Sequence, residues 1–446
     1  MSRSMRIMGP ARVKGSLKVP GDKSISHRVV MLASIASGAS RITGLASSAD
    51  CQATLDCIRR LGVRVEDAGS ELVIQGEALF GYHPPAPAVH LNAANSGSTI
   101  RMLTGLLAGQ QFTSEIDGDA SLRRRPMARI IEPLSLMRAR IEARDGTFAP
   151  LTIHGQKLNA VDYASPVASA QVKTCVLFAG LLADGRTSFS EPALSRNHTE
   201  LMLKEFGAHF ERDSFSGTLS VDGLYALNAV DYHVPGDLSS AAFFLAAATM
   251  LPDSEVLVPD VSLNPTRTAF IDVLNELGAN IQKQNVREQH NETIGDLLVS
   301  GGQLRSERRG TRLSGGIIPN IIDEVPILTV VATQVEGRVE VRDAGELRIK
   351  ESDRIRTVVD GIRALGGEIE EFDDGFAVNG PQQLTGGRVE TSGDHRIAMA
   401  FAIAGLIAEG TTEIIDADCA GVSFPEFYQS LAMLTAPGTV APSPIE

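Results

Sequence analysis

The sequence has few cysteines, no excess of positive charge and no long hydrophobic run, and each shortage excludes a class of protein. Four cysteines without metal-ligand spacing lie within or beside apolar segments, which predicts buried thiols. Lysine and arginine total 41 against 54 acidic residues, and the net charge of −13 argues against nucleic acid or acidic membranes as partners. The first 15 residues lack the apolar core of a secretory signal, and no apolar run approaches a membrane span. We therefore expect a cytoplasmic protein.

Residues 20–36 combine basic side chains with a helix signal. A Pro-Gly turn signal comes first, and an apolar run of helix length follows. Asp22 and Ser24 are good N-caps, so a helix is predicted to begin near Lys23. With Lys23, Ser24 and Arg28 on its first turns, this helix start is suited to hold a phosphate or carboxylate. From this stretch alone, an ordinary capped helix with a solvated lysine and arginine is an equal alternative.

The same plan of polar head, apolar helix, turn and strand occurs six times. Its heads begin at Asp22, Asn95, Ser169, Asp237, Asp323 and Gly393, and its turns lie at Gly38, Gly109, Gly185, Pro252, Gly337 and Gly410. A second marker, in which a helix end is followed by a glycine and a strand, occurs at Gly62, Gly207, Gly278 and Gly366, with a weaker copy at Met137. The chain is therefore predicted to consist of six repeats that mix helices with strands.

Six repeats in 446 residues are too many for one hydrophobic core, so we expect two α/β domains of three repeats each. The sixth repeat lacks a closing strand, which residues 1–20 can supply. One domain is therefore predicted to contain residues 1–20 and 234–446, and the other residues 21–233. The proline-containing tail, 436–446, is predicted to be disordered.

Five ordered segments resemble the signature segments of the 5-enolpyruvylshikimate-3-phosphate synthase family. They are residues 23–28, 91–101, 125–127, 350–354 and 393–399. Four more resemble motifs of the family's class II, glyphosate-tolerant branch, namely residues 21–24, 169–173, 196–200 and 264–267. The resemblance covers the chain except its tail. It implies the enolpyruvyl transferase fold, an inside-out α/β barrel in two domains with three βαβαββ units each.

The resemblance also implies a reaction of the shikimate pathway of aromatic amino acid biosynthesis. The enolpyruvyl group of phosphoenolpyruvate is transferred to the 5-hydroxyl of shikimate 3-phosphate, and phosphate is released. No metal or cofactor is implied, because arginine and lysine supply the charge stabilisation. The implied partners are these two small molecules alone, with no nucleic acid and no membrane, and the implied state is a monomer.

Residue roles follow from the same resemblance. Shikimate 3-phosphate is assigned to Lys23, Ser24, Arg28, Ser169, Ala170, Gln171, Arg196, Asp323 and Lys350, and phosphoenolpyruvate to Lys23, Gly97, Arg125, Gln171, Arg354 and Arg396. Asp323 is the implied base on the 5-hydroxyl, and either Glu351 or Lys23 is the implied proton donor. Without the resemblance, Asp323 reads as a helix N-cap and Glu351 as part of a solvated charged face.

Two alternative functions remain to be compared with this interpretation of the sequence. An enolpyruvyl transferase that acts on UDP-N-acetylglucosamine normally has an asparagine after its first catalytic lysine and a reactive cysteine on a loop, whereas Ser24 follows Lys23 here. A non-catalytic anion-binding repeat protein needs the basic heads but neither Asp323 nor Glu351. The histidines 27, 198 and 395 have polar neighbours and are predicted to be structural hydrogen-bonding groups.

The chain departs from its relatives at two positions. Many class I members have a lysine where Val422 precedes Ser423, so that contact to phosphoenolpyruvate is absent or replaced. A tolerant relative has alanine where this chain has Gly97, which predicts a roomier inhibitor pocket. The class II segments nevertheless predict weaker inhibition by glyphosate than in a class I enzyme.

Overall fold

The computed structural model describes residues 3–86, 88–304 and 310–443, and within them the chain alternates short strands with helices. The helices are α1 (Lys23–Ile35), α2 (Ala49–Arg60), α3 (Gly97–Ala108), α4 (Ala128–Leu136), α5 (Ala170–Leu181), α6 (His198–Glu205), α7 (Leu238–Met250), α8 (Ala269–Glu276), α9 (Ile318–Ile321), α10 (Val325–Ala332), α11 (Arg354–Ala364), α12 (His395–Ile407) and α13 (Phe427–Leu434).

The strands of the first half of the chain are β1 (Met5–Gly9), β2 (Lys14–Ser16), β3 (Ser37–Thr43), β4 (Arg64–Asp67), β5 (Glu71–Glu77), β6 (Ala88–Asn92), β7 (Thr113–Asp117), β8 (Arg140–Arg144), β9 (Phe148–His154), β10 (Leu158–Asn159), β11 (Asp162–Ala164), β12 (Ala183–Asp184), β13 (Arg186–Ser190), β14 (Phe210–Arg212), β15 (Leu219–Asp222) and β16 (Tyr232–His233). Those of the second half are β17 (Glu255–Ser262), β18 (Asn280–Gln289), β19 (Glu292–Ser300), β20 (Thr311–Leu313), β21 (Gly337–Val341), β22 (Glu370–Phe372), β23 (Gly375–Gly380), β24 (Arg388–Glu390), β25 (Gly410–Ile415) and β26 (Val440–Pro442).

Among the described residues, β10 and β12 form a separate two-stranded parallel sheet, and the other twenty-four strands form six four-stranded sheets with one shared plan. Their strand orders are β16-β3-β5-β4, β6-β7-β9-β8, β11-β13-β15-β14, β2-β17-β19-β18, β20-β21-β23-β22 and β24-β25-β1-β26. In each sheet the first strand runs parallel to the second, which runs antiparallel to the third. The prediction of six α/β repeats is therefore confirmed.

The chain divides into two compact units, each with its own core. One unit contains residues 1–20, 235–287 and 293–446, and the other contains residues 21–234 and 288–292. The sequence-based division differs by one residue at 234 and did not separate residues 288–292, which belong to the β18–β19 hairpin, from their flanking strands.

The first strand closes the sixth sheet, as predicted from the incomplete sixth repeat. β1 pairs antiparallel with β25, with Ile7 opposite Thr412. Its other edge pairs with β26, where Ile7 lies opposite Val440. The predicted disorder of the tail is therefore wrong at residues 440–442, because β1 offers an unpaired edge and Val440 packs against the apolar core. Residues 444–446 lie outside the described part of the chain.

The predicted helix heads mark the starts of six apolar helices: α1, α3, α5, α7, α10 and α12. In α1, the Asp22 side chain caps the helix by accepting a hydrogen bond from the Ile25 amide at 2.9 Å. The exception is α10, which begins at Val325 after Glu324, so Asp323 lies one residue before the N-cap position. The structure thus agrees with setting aside the N-cap reading of Asp323.

Helix ends follow the second sequence marker. Gly62 and Gly278 adopt φ angles of +93° and +92° directly after helices α2 and α8, which is the left-handed conformation that glycine adopts without a steric cost. At the weaker copy after α4, Arg138 takes this conformation with φ of +68°.

No single helix among the described residues has the length and apolar character needed to cross a bilayer. One bent pair, Gly315–Ile321 with Val325–Ala332, meets the length and composition criteria at an angle of 107°.

The register of β1 predicts a difference between two adjacent side chains. Ile7 is 0% exposed and packs in the core, whereas Met8 on the opposite face is 58% exposed. Replacing Ile7 with alanine should lower the free energy of unfolding by about 2–5 kcal/mol, because a buried side chain is lost from a central strand. The matched variant Met8→Ala should change it by less than about 0.5 kcal/mol. Urea unfolding followed by circular dichroism measures both, and equal losses would contradict this register.

Candidate active site

In the unit of residues 21–234 and 288–292, the starts of helices α1, α3 and α5 are joined by hydrogen bonds. Arg101 on α3 donates from Nη1 to Gln171 Oε1 on α5 at 2.8 Å. Gln171 in turn donates to Ser98 Oγ at 3.0 Å. Ser169 caps α5 by accepting from the Val172 amide. The predicted ligands on these three helices therefore lie at adjoining helix N-termini, where partial positive charge favours anions.

Arg28 is the most deeply buried of the predicted ligands in this unit. Its Nε donates to Thr199 Oγ1 at 2.7 Å, and its Nη2 donates to Thr174 Oγ1 at 2.9 Å and to the carbonyl of Ala170 at 3.3 Å. Its Nη1 donates to the carbonyl of Ser24 at 2.8 Å. Burial lowers the pKa of Arg28 to about 10, although the charge of Glu200 opposes this shift. Arg28 therefore stays protonated at neutral pH and links α1, α5 and α6.

Lys23 and Arg196 lie next to this arginine. Lys23 Nζ is 2.9 Å from a carboxylate oxygen of Asp50, which lies in the first turn of α2. Arg196 Nη1 donates to Ser24 Oγ at 3.2 Å, which brings the α6 start to the α1 start. Sequence reasoning assigned no role to Asp50, and an acid in a first helical turn is too common to reveal one.

Two guanidinium groups flank Gly97. Arg125 donates to Asn95 Oδ1 at 2.6 Å and to Ser121 Oγ at 3.2 Å. A Cβ atom at residue 97 would lie 2.7 Å from Nη1 of Arg101 and 3.6 Å from Nη1 of Arg125. Arg101 was missed as a site residue, although its position four residues after Gly97 puts both on one helix face.

In the unit of residues 1–20, 235–287 and 293–446, the charged network centres on Arg354. This fully buried guanidinium donates to Asp394 Oδ2 at 2.8 Å and to Glu351 Oε2 at 2.7 Å. Burial lowers the pKa of Arg354, but the attraction of Asp394, Glu351 and Asp323 outweighs it and raises the pKa above its usual value. Burial likewise opposes ionisation of Asp394, and Arg354 still holds its pKa below the ordinary value.

The Asp323 carboxylate lies between two arginines of this unit. Its two oxygens are 3.6 Å from Nη1 of Arg354 and 3.6 Å from Nη2 of Arg396. Arg396 also donates to the backbone carbonyl of Asp323 at 2.9 Å. The side chain is 16% exposed, so a carboxylate held by two cations is still accessible.

Lys350 and Arg267 complete the basic residues of this unit's site. Lys350 Nζ is 4.0 Å from Glu346, and its side chain is partly exposed. Arg267 donates to Ser239 Oγ at 2.6 Å and lies 3.4 Å from Asp237 and 3.9 Å from Glu324. It thus links the starts of α7 and α10, a role that sequence reasoning missed although its segment was noted. Val422, where class I members have a lysine, ends a short 3₁₀ helix and is half-buried.

Histidines 27, 198 and 395 and cysteines 51, 57 and 175 are buried, whereas Cys419 is half-buried, so the prediction of buried thiols is wrong at Cys419. His27 Nδ1 lies 2.7 Å from Thr54 Oγ1, and burial lowers its pKa to about 3, so the ring is neutral near pH 7. His198 Nδ1 lies 2.6 Å from Glu292. Burial raises the pKa of Cys51 and Cys57 to about 12, which removes the thiolate that a reactive cysteine needs. The remaining cysteines, Cys175 and Cys419, also have raised pKa values through burial.

The described part of the chain contains no preformed metal-binding cluster. Within residues 3–86, 88–304 and 310–443, no three histidine, cysteine, aspartate or glutamate side chains are grouped so as to hold a metal ion.

Comparison with known proteins gives one consistent family. The family model for EPSP synthase (3-phosphoshikimate 1-carboxyvinyltransferase) matches residues 7–431. The 3-phosphoshikimate 1-carboxyvinyltransferase of Solibacter usitatus is 48% identical over 426 residues, 96% of this chain and 98% of that protein. The enzyme of the same name from Brevibacillus brevis is 45% identical over 97% of this chain and all of its own length.

Solved structures agree with the sequence comparison. An EPSP synthase structure from Acinetobacter baumannii superposes with a TM-score of 0.87 at 37% identity, covering 99% of this chain and 100% of that one. A second structure from the same organism gives a TM-score of 0.86 at 36% identity. The chain therefore belongs to the EPSP synthase (3-phosphoshikimate 1-carboxyvinyltransferase) family.

Proposed function

We propose that this protein transfers the enolpyruvyl group of phosphoenolpyruvate to the 5-hydroxyl of shikimate 3-phosphate and releases phosphate. The main support is the accessible Asp323 carboxylate, which two arginines hold. The adjoining basic helix starts of the other unit add to this support. Both substrates are polyanions, and basic helix N-termini offset the cost of bringing them together and orient them.

Shikimate 3-phosphate is proposed to bind the residues assigned to it by resemblance: Lys23, Ser24, Arg28, Ser169, Ala170, Gln171, Arg196, Asp323 and Lys350. Contacts at the α1 start support the assignment of four of these, namely Lys23, Ser24, Arg28 and Arg196. Arg28 and Arg196 both bond Ser24, so a phosphate at the α1 start meets two guanidiniums and a lysine. Paired guanidinium and ammonium groups suit a dianionic phosphate.

Phosphoenolpyruvate is proposed to bind Lys23, Gly97, Arg125, Gln171, Arg354 and Arg396. Arginine presents a planar fork that meets a carboxylate or phosphate with two hydrogen bonds at once. Gly97 suits this place because a Cβ atom there would lie 2.7 Å from Nη1 of Arg101, so the absence of a side chain lets this guanidinium approach the helix start.

Proton transfer is proposed to use Asp323 as the base on the 5-hydroxyl. An ionised carboxylate accepts a proton, and Arg354 and Arg396 supply the positive charge that keeps it oriented. Glu351 and Lys23 are the two proposed donors to C3 of the enolpyruvyl group. Each is held by an oppositely charged partner, Glu351 by Arg354 and Lys23 by Asp50.

All proposed ligands come from a single chain, so we propose that the protein works as a monomer. We also propose that it acts in the cytoplasm and needs no metal or cofactor. Sedimentation equilibrium should give a mass near 47.4 kDa. A dimer mass at assay concentrations would contradict the monomer.

The direct test incubates the protein with phosphoenolpyruvate and one acceptor, and measures released phosphate. Release with shikimate 3-phosphate supports the proposal. Release only with UDP-N-acetylglucosamine would assign the other enolpyruvyl transfer, and release with neither acceptor would indicate a binding protein.

The role of Asp323 predicts a specific loss of turnover. Asp323→Asn keeps the size of the side chain but removes the proton acceptor, so kcat should fall by roughly two to four orders of magnitude. Calorimetry should still detect binding of shikimate 3-phosphate. The matched control Asp272→Asn changes an exposed residue of α8 in the same unit and should leave kcat unaltered. Near-normal turnover of Asp323→Asn would remove this residue from the mechanism.

The close approach of Arg101 to Gly97 predicts a change in inhibition by glyphosate when a side chain is added at residue 97. The wild-type enzyme should be inhibited more weakly than a class I enzyme assayed beside it. In Gly97→Ala the new methyl group displaces the Arg101 guanidinium and narrows the pocket, so the half-inhibitory concentration should rise about tenfold further.

A control for this experiment is Gly302→Ala, where the added Cβ meets no atom within 4 Å. Its inhibition should equal that of the wild type. If Gly97→Ala and Gly302→Ala are inhibited alike, Gly97 does not limit the inhibitor pocket.

A further inference from the structure

Lys173 is a lysine with no exposure to solvent, on the second turn of α5. Its Nζ lies 2.9 Å from Glu191 Oε1 and 2.8 Å from Glu200 Oε1, and it donates to the carbonyl of Ser195 at 3.3 Å. Glu191 and Ser195 accept hydrogen bonds from the ammonium group, and the Glu200 carboxylate adds a close ion pair. A buried lysine is tolerated only with such partners, so these contacts constrain the segments that supply them.

The first of these segments precedes Arg196. Glu191 accepts hydrogen bonds from the Ser195 amide at 2.9 Å and from the Ser195 hydroxyl at 2.7 Å. Lys173 binds both the carboxylate of Glu191 and the carbonyl of Ser195. The two peptide groups that flank the Ser195 Cα atom are therefore both held, directly before Arg196, whose guanidinium reaches Ser24.

The second segment follows Arg196. Glu200, bound to Lys173, is adjacent to Thr199, whose hydroxyl accepts from Arg28 Nε at 2.7 Å and pairs with Thr174 Oγ1 at 2.6 Å. Thr174 directly follows Lys173. Lys173 thus contacts the segments that hold both arginines assigned to shikimate 3-phosphate, although it is not itself one of the assigned ligands.

The charges of Lys173 and its two glutamate partners also affect phosphate binding by the arginines. Two negative charges accompany this lysine: Glu200, whose charge acts on Arg28 directly, and Glu191, which binds the Ser195 amide next to Arg196 in the chain. The Lys173 ammonium offsets part of this charge. Without it, the two carboxylates would compete with a bound phosphate for the arginines.

We propose that Lys173 is a positioning residue for the shikimate 3-phosphate site: through Glu191, Ser195 and Glu200 it fixes the segment of Arg196 and keeps the two glutamates from neutralising the arginines. This inference rests on the proposed function. Lys173 contacts neither substrate, so its effect reaches one substrate through Arg28 and Arg196 and leaves the chemistry at Asp323 in place.

The test replaces Lys173 with methionine, which fills a similar volume without charge. The dissociation constant of shikimate 3-phosphate, measured by calorimetry, should rise about tenfold or more, since two charge-assisted contacts are weakened. The KM for phosphoenolpyruvate should change by less than about threefold, and kcat at saturation by less than about threefold. A merely structural role would not separate the two substrates.

Two controls calibrate the result. Lys157→Met removes an exposed lysine of the same unit that pairs with Asp184, and should behave as the wild type. Cys175→Ala creates a small cavity in the same helix, so it measures what lost stability alone does to both substrate constants.

A second variant decides the matter if Lys173→Met does not fold, since removing one member of a buried ion pair is strongly destabilising. Glu191→Gln keeps a hydrogen-bonding side chain of the same shape and should raise the dissociation constant of shikimate 3-phosphate about threefold. Phosphoenolpyruvate should again be unaffected.

The outcomes separate the two proposals. A selective loss of shikimate 3-phosphate affinity supports the positioning role. An active wild type whose variant shifts both substrates alike, or neither, overturns the positioning role alone. A wild type that releases no phosphate from shikimate 3-phosphate and phosphoenolpyruvate overturns the proposed function and this inference with it.

Discussion

A buried guanidinium needs acceptors for five N–H donors, and the choice of acceptors decides the charge that a site presents. Arg28 is satisfied by two threonine hydroxyls and two carbonyl oxygens, all of them neutral. Arg354 is satisfied chiefly by the carboxylates of Asp394 and Glu351. The hydrogen-bond partners of Arg28 therefore leave its positive charge available for a polyanion, while the charge of Arg354 is offset by its carboxylate partners. A carboxylate beside an offset positive charge keeps more of its basicity, as the proton exchange that we propose for Asp323 requires.

The placement of these arginines follows from the helices that carry them. The six repeat helices are apolar on nearly all sides, and all thirteen residues of α7 are buried. A helix that is apolar all round has no polar face along its length, so its unpaired N–H groups and its charged residues meet only at its start. Because the repeat occurs three times in each half of the chain, each half contains several such helix starts. The proposed chemistry is therefore a consequence of where a buried helix can carry polar groups.

Local sequence signals predicted the parts of the fold that depend on neighbours in the chain. The N-cap at Asp22, the glycine at residue 62 and the missing strand of the sixth repeat all belong to this class. The signals failed where a distant partner decided the outcome. The tail strand β26 exists because β1 has an open edge, and composition alone gave no sign of that edge.

In the site, too, local sequence patterns do not reveal the contacts that depend on distant residues. Resemblance named the ligands, but the partners that hold them are far along the chain: Arg28 and Thr199 are separated by 171 residues, and Lys23 and Asp50 by 27. Such pairs leave no local pattern, because each member alone resembles an ordinary polar residue. The residues alone favoured an N-cap role for Asp323, which the resemblance overrode, and the structure gives that position to Glu324 because the helix begins one residue later.

The class II-like segments acquire a physical meaning from these partners. Besides proposed ligands, they supply buried polar groups with distant partners: Lys173 lies 2.8 Å from Glu200, His198 Nδ1 lies 2.6 Å from Glu292, and Arg267 lies 3.4 Å from Asp237. Removing one member of a buried ion pair leaves an uncompensated charge in the interior, whereas replacing both members by apolar groups is often tolerated. The segments that contain Lys173 and Glu200 are therefore constrained to change together. A branch of the family that differs in them differs in how its ligand-binding arginines are held, even where the arginines themselves are the same.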